Sequence, residues 1–182
     1  LCMLEGLADL HAVRGEDGAP LGAVHRDLAP PNVLLSRDGA VKLADLGACV
    51  FTSTELPPTE VVGSAGYLSP EQARLEPLDA RSDVFAAGCI LHRVLAGEPA
   101  FPLDGRPDDE VLAAHRQGLA RPLPPDVPVE YARLTEAACA PLREDRPTGA
   151  PELAHALRAA RAASGDTQGA RDVAELVRLL AG

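Results

Sequence analysis

The chain has 182 residues, 46% of them hydrophobic, with a formal net charge of -10. That length and apolar content suit one domain with a buried core and exclude a disordered or collagen-like chain, while acidity spread along the whole length argues against a nucleic-acid or anionic-membrane surface and permits basic partners. Four single cysteines without a C-x-x-C pair exclude a tetrahedral zinc site, and with no apolar run near the ~18 residues of a bilayer span and no basic leader, a cytoplasmic protein without a membrane segment is expected.

Leu1, Leu4, Leu7 and Leu10 recur at helical spacing as far as His11, after which Gly15, Gly18, Pro20 and Gly22 mark a loop. Because this pattern is already running at Leu1, the natural protein is expected to continue upstream. Val33 to Ser36 and Val41 to Ala44 flank Arg37-Asp38-Gly39 and predict a β-hairpin. Residues 51–66 are rich in Thr, Ser, Pro and Gly without periodicity, and so long a connection in a compact domain usually carries function.

From Pro70 onward the chain reads as helical. Val84, Ala87, Gly88, Leu91, Val94 and Leu95 form one apolar stripe that Gly97 and Pro99 stop, which predicts a deeply buried central helix over 80–96. Asp108 to Gln117, Glu130 to Ala138, Leu153 to Ala163 and Asp172 to Leu180 are expected as further helices. The last carries a stripe of Val173, Leu176, Val177 and Leu180 and is expected to dock on the body. Cys2, Cys49, Cys89 and Cys139 read as buried small apolar residues. The organisation is thus one unit over 1–163 followed by a linker and appended helix over 164–182, with no internal repeat and no nucleotide-binding Gly-rich loop.

The chemistry lies around the hairpin. His25-Arg26-Asp27-Leu28-Ala29-Pro30-Pro31-Asn32 precedes it and Asp45-Leu46-Gly47 follows it, so two carboxylates and an amide converge at one end. Phosphoryl transfer needs such a set: one carboxylate to accept a hydroxyl proton, and hard oxygens to hold Mg²⁺ against phosphates.

These segments, together with GSAGYLSPEQ and ARSDVFAAG, resemble the catalytic loop, metal-binding turn, P+1/APE segment and αF helix of protein kinases, in the family's order. The lead-in to His25 and the Ser-Pro-Glu-Gln segment are most similar to bacterial serine/threonine kinases of the eukaryotic-like type. The resemblance implies a mainly α, protein-kinase-like C-terminal lobe with a short hairpin, the N-lobe being absent from this chain and expected upstream. It implies a catalytic loop at 25–32, a metal-binding turn at 45–47 and an activation segment at 45–71. It also implies ATP and Mg²⁺ as cofactors and a protein substrate.

By the same resemblance, Asp27 is the catalytic base, Asn32 and Asp45 are metal ligands, and Leu34 is the apolar residue beneath the adenine. Ser64 is the hydroxyl residue that bonds the catalytic aspartate. Glu71 pairs with an arginine near the end of the lobe, here Arg146, and Asp83 holds the catalytic-loop backbone. His25 packs in the regulatory spine and Leu46 replaces the usual Phe as an apolar plug. Arg26 is either a backbone-binding arginine or the partner of a phosphate on the activation segment, for which Thr52, Ser53, Thr54 and Thr59 are acceptors.

Two departures from the family pattern stand out. Ala29 occupies the place of a lysine that meets the transferred phosphate, and Pro31 the place where tyrosine kinases offer arginine. Loss of one such contact commonly costs roughly 10²- to 10³-fold in rate. The second is the missing nucleotide clamp, with no Gly-rich loop and no strand lysine. A serine/threonine kinase is the leading reading, a pseudokinase or truncated lobe acting as a non-catalytic interaction module is the alternative, and a small-molecule phosphotransferase accounts for fewer of the motifs.

Overall fold

The computed structural model describes residues 1–53, 58–101 and 107–165. Helix α1, Cys2–His11, turns Leu4 and Leu7 into the core and leaves Leu1, Met3 and Leu10 packed at its edge. The hairpin forms where the alternating pattern places it, with β2, Val33–Leu35, antiparallel to β3, Val41–Leu43, in the register Val33 to Leu43, Leu34 to Lys42 and Leu35 to Val41. A second ladder joins β1, Ala23–Val24, to β4, Val50–Phe51. Two residues are too few to show a period, so this ladder was not expected, and it gives the start of the 51–66 segment a fixed anchor.

Among the described residues five α-helices follow. Helix α2, Pro70–Arg74, begins with a capping box: the Ser69 hydroxyl accepts from the Gln72 N–H, and the Gln72 side chain accepts from the Ser69 N–H. Helix α3, Ala80–Ala96, has the bounds that the apolar stripe predicts. Asp79 caps its start by accepting the Arg81 N–H at 2.8 Å, and Gly97 ends it at φ 75°. Helices α4, Asp108–Gln117, α5, Val129–Ala138, and α6, Ala150–Ser164, lie within a few residues of their expected bounds.

Helix α3 is the axis of the fold. Ser82 to Cys89 are all buried, so this half is enclosed on every side. Its contact with α5 is close enough that a Cβ on Gly88 would meet Ala138 Cβ and Cys139 Sγ, each at 2.8 Å. Val94 departs from the predicted stripe, for it is 74% exposed. It lies in the last turns of α3, where the helix has left the enclosed part of the core. The cysteines also divide: Cys89 and Cys139 are buried, Cys49 is half-buried and Cys2 is exposed. The appended helix expected over 172–180 lies outside the described residues, among which no helix is long and apolar enough to cross a membrane.

Candidate active site

The loop from His25 to Asn32 is suspended from the first turn of α3. Asp83, 1% exposed, accepts the His25 N–H at 2.8 Å on Oδ2 and the Arg26 N–H at 3.0 Å on Oδ1. His11, at the end of α1, reaches the same Oδ2 with Nε2 at 2.8 Å. One buried carboxylate therefore joins α1, the loop and α3. The His25 ring is fully buried, its Nε2 3.2 Å from the carbonyl oxygen of Ala44, just before Asp45. Arg26 takes a left-handed backbone, φ 67°, which a non-glycine residue adopts only at a cost.

That strained peptide is held by a residue the motifs did not single out. Gln72, 4% exposed, donates through Nε2 to the Arg26 carbonyl at 2.7 Å and to the Val62 carbonyl at 3.0 Å. Gly63 is the second such residue. Its φ is +130°, and a Cβ there would stand 2.7 Å from the Arg26 carbonyl oxygen. Only glycine lets the later segment lie so close to the loop.

Asp27 stands between two sets of donors. Its Oδ1 accepts from Ser64 twice, at 2.7 Å from the backbone N–H and 2.6 Å from the hydroxyl. Its Oδ2 accepts from Asn32 Nδ2 at 3.0 Å, and the same Nδ2 donates to the Asp27 carbonyl at 2.8 Å. With its nitrogen turned to Asp27, Asn32 has its Oδ1 left for another partner. The Ala44 N–H donates to the Asn32 carbonyl at 2.9 Å, which brings the following residue, Asp45, beside Asn32. Asp45 is exposed and also left-handed, at φ 59°, with its Oδ1 accepting the Gly47 N–H at 3.2 Å. An amide oxygen and a carboxylate on adjoining backbone are hard donors of the kind Mg²⁺ takes.

Around this centre the other candidates divide. Leu34 is 54% exposed and Leu46 53%, so neither fills a core position among the described residues. Ala29 is fully buried, contributing a methyl group to the core and no charge to the site. The Nε of Arg26 is buried and makes no hydrogen bond among the described residues. Thr52 and Ser53 donate their hydroxyls to the carbonyls of Gly22 and Leu21 at 3.1 and 2.8 Å, Thr59 is exposed, and Thr54 lies outside the described residues.

Beneath the site, Arg146 grips Glu71 with both ends of its guanidinium, at 2.6 and 2.9 Å, and the Ser82 hydroxyl adds a bond at 2.8 Å. Burial by itself would raise the Glu71 carboxyl. The Arg146 hydrogen bonds and charge, with backbone and Ser82 donors, outweigh it and hold the group below the usual range. This pair fixes α2, and with it Gln72, against α3.

Residues 1–158 match the family described as the protein kinase domain. Over 108 residues the chain is 44% identical to the serine/threonine-protein kinase PknB of Mycolicibacterium smegmatis, a stretch that covers 57% of this chain and 17% of that protein. Similarity to PknB of Mycobacterium leprae is 43% over 107 residues, and to the probable serine/threonine-protein kinase CE0033 of Corynebacterium efficiens 41% over 119 residues, or 63% of this chain. In both cases 17% of the relative's length is covered.

Proposed function

This chain belongs to the protein kinase domain family, and on that premise we propose that the whole protein transfers the γ-phosphate of ATP to a serine or threonine hydroxyl of a protein substrate. The observation that carries the proposal is the setting of Asp27. Ser64 and Asn32 fix its carboxylate from both sides through donated hydrogen bonds, yet it stays part-exposed and so within reach of an incoming hydroxyl. In that position Asp27 accepts the proton of the attacking hydroxyl, and Ser64 orients the carboxylate. Asn32 Oδ1 and Asp45 are the groups that hold Mg²⁺, which when bound offsets the charge of the phosphates. Leu34 lies beneath the adenine, and an upstream lobe closes over Leu34 and Leu46.

Turnover is slow, because buried Ala29 leaves no cation where the family has lysine. The guanidinium of Arg26, whose buried Nε has no hydrogen-bond partner among the described residues, is the receptor for a phosphate on the activation segment. Thr59 is the favoured acceptor, since the hydroxyls of Thr52 and Ser53 are already engaged. The cytoplasm, with its ATP and Mg²⁺, is the compartment that fits this activity.

The test is nucleotide binding by the full-length protein. Mg·ATP is expected to raise the melting temperature, and Asp45→Ala to remove the Mg²⁺-dependent part of that rise. A shift of equal size with and without Mg²⁺, unchanged by Asp45→Ala, would overturn the assignment of the metal ligands.

A further inference from the structure

Helix α4 contributes nothing to the motifs that carry the chemistry, yet it grips the segment that contains them. Its Arg116 donates through Nε to the Ala73 carbonyl at 2.9 Å, and Arg74 donates back to the Arg116 carbonyl. The residue before Arg116, His115, is fully buried, and its Nε2 accepts the Gly66 N–H at 3.2 Å. The ring is stacked on Phe101, 4.1 Å between centroids, and Phe101 in turn lies against Phe85 of α3 at 5.8 Å. It cannot swing away without opening the core. Nδ1 is sealed from solvent with no partner at hydrogen-bonding distance among the described residues, and the Leu68 backbone is the acceptor that pulls on the ring.

Gly66 stands two residues after Ser64 in a turn closed by the Tyr67 N–H on the Ser64 carbonyl at 3.1 Å, with φ +89°. Glycine at such a φ leaves its peptide free to rotate, so the Gly66 N–H needs an acceptor to fix its direction. Nε2 is that acceptor. We propose that His115 is a positioning residue for the substrate-side loop Ser64–Leu68: by holding the Gly66 peptide it sets the place of Ser64, and through Ser64 the carboxylate of Asp27.

The role requires a neutral ring with its proton on Nδ1, since a proton on Nε2 would face another donor. Nearby charged groups on the packed elements are engaged elsewhere: Glu71 with Arg146, Arg74 with the Arg116 carbonyl, Arg116 with the Ala73 carbonyl, and Arg93 with the Tyr67 hydroxyl. Packing alone would ask only for a bulky apolar group at 115. Positioning asks for an acceptor.

The two are separated in the full-length protein by comparing wild type, His115→Gln, which keeps an acceptor, and His115→Leu, which keeps bulk only. Amide exchange at Gly66 is expected to speed up about tenfold or more in the Leu variant and to stay within about threefold of wild type in the Gln variant. Equal protection in all three would overturn the proposal. Should the Leu variant fail to fold, the ¹⁵N shifts of His115 in wild type decide instead: an unprotonated Nε2 near neutral pH supports it, and a protonated Nε2 contradicts it. A third readout rests on the phosphotransfer reading. In the Leu variant KM for a peptide substrate rises about tenfold while KM for ATP is unchanged, and the Gln variant restores it; equal effects on both constants would count against positioning. If the wild-type protein transfers no phosphate, that reading fails alone, because exchange and tautomer still judge His115.

Discussion

Arg146 is enclosed without any exposed side-chain surface, and beyond Glu71 its guanidinium donates to the carbonyls of Arg81, Ala140 and Pro141 while lying 4.9 Å over the Phe85 ring. Truncating Glu71 leaves this cation buried with carbonyls only. Glu71→Ala is therefore expected to lower the unfolding free energy by about 3–5 kcal/mol, read from urea denaturation. A loss within the range of an exposed pair, below about 1 kcal/mol, would contradict the burial seen here.

Two buried groups, His115 and Glu71, set the response to acid. Burial pushes His115 down to about 4 from an ordinary 6.5, against a weaker upward pull from the Leu68 backbone. A folded-state pKa below the unfolded one means that protons favour the unfolded chain. The stability His115 contributes is thus full above pH ~6.5 and is lost as pH falls through ~4, up to about 3.5 kcal/mol at ~1.4 kcal/mol per unit. Glu71, also held below its ordinary value of 4.5, acts in the same direction at lower pH. Urea midpoints taken between pH 7 and 4 should fall, and His115→Gln should flatten the earlier part of that fall. A wild-type midpoint independent of pH over this range would disprove the assignment.

At the scale of elements, α3 and α5 depend on a glycine in mid-helix. Alanine is the better helix former by about 1 kcal/mol, so an unobstructed Gly88→Ala would stabilise. The 2.8 Å approach to Ala138 and Cys139 reverses the sign, and overpacking of about 1–3 kcal/mol is expected as a lower melting temperature. A rise would show that the two helices have room to part.

The end of α3 was legible because Gly97 stops a long apolar pattern, and its start falls at the head of the ARSDVFAAG segment, while the Asp79 cap shows only in the structure. The hairpin was legible for a similar reason, with Asp38-Gly39 between two alternating runs. The β1–β4 ladder was not, because its partners are two residues each and meet across the catalytic loop and the hairpin. Val94 was misplaced because periodicity gives a face without saying where along the helix the covering neighbours end.

On the scale of the whole molecule, the polar centre was legible in outline because Asp27, Asn32 and Asp45 are residue types that carry chemistry around one hairpin, and the family resemblance added Ser64. Asp27, Asn32, Asp45 and Ser64 fall within one short stretch of sequence. Gly63 and Gln72 open and close the GSAGYLSPEQ segment without a role that the motif assigns, and His115 lies outside every motif, since each matters only through a contact with distant backbone: the Arg26 carbonyl for the first two, the Gly66 N–H for the third. Leu34 and Leu46 mark the other boundary of what one lobe explains. Leu34, in the middle of β2, and Leu46, just after β3, are both more than half exposed.

The central claim is that the hydroxyl proton goes to Asp27 in a reaction that consumes ATP. It is tested most directly by incubating the full-length protein with Mg²⁺ and γ-labelled ATP, with and without a protein substrate, in wild type and Asp27→Asn. Label transferred to serine or threonine by the wild type and lost by at least about 10²-fold in the variant is the expected result. Transfer that continues undiminished in Asp27→Asn would contradict the account.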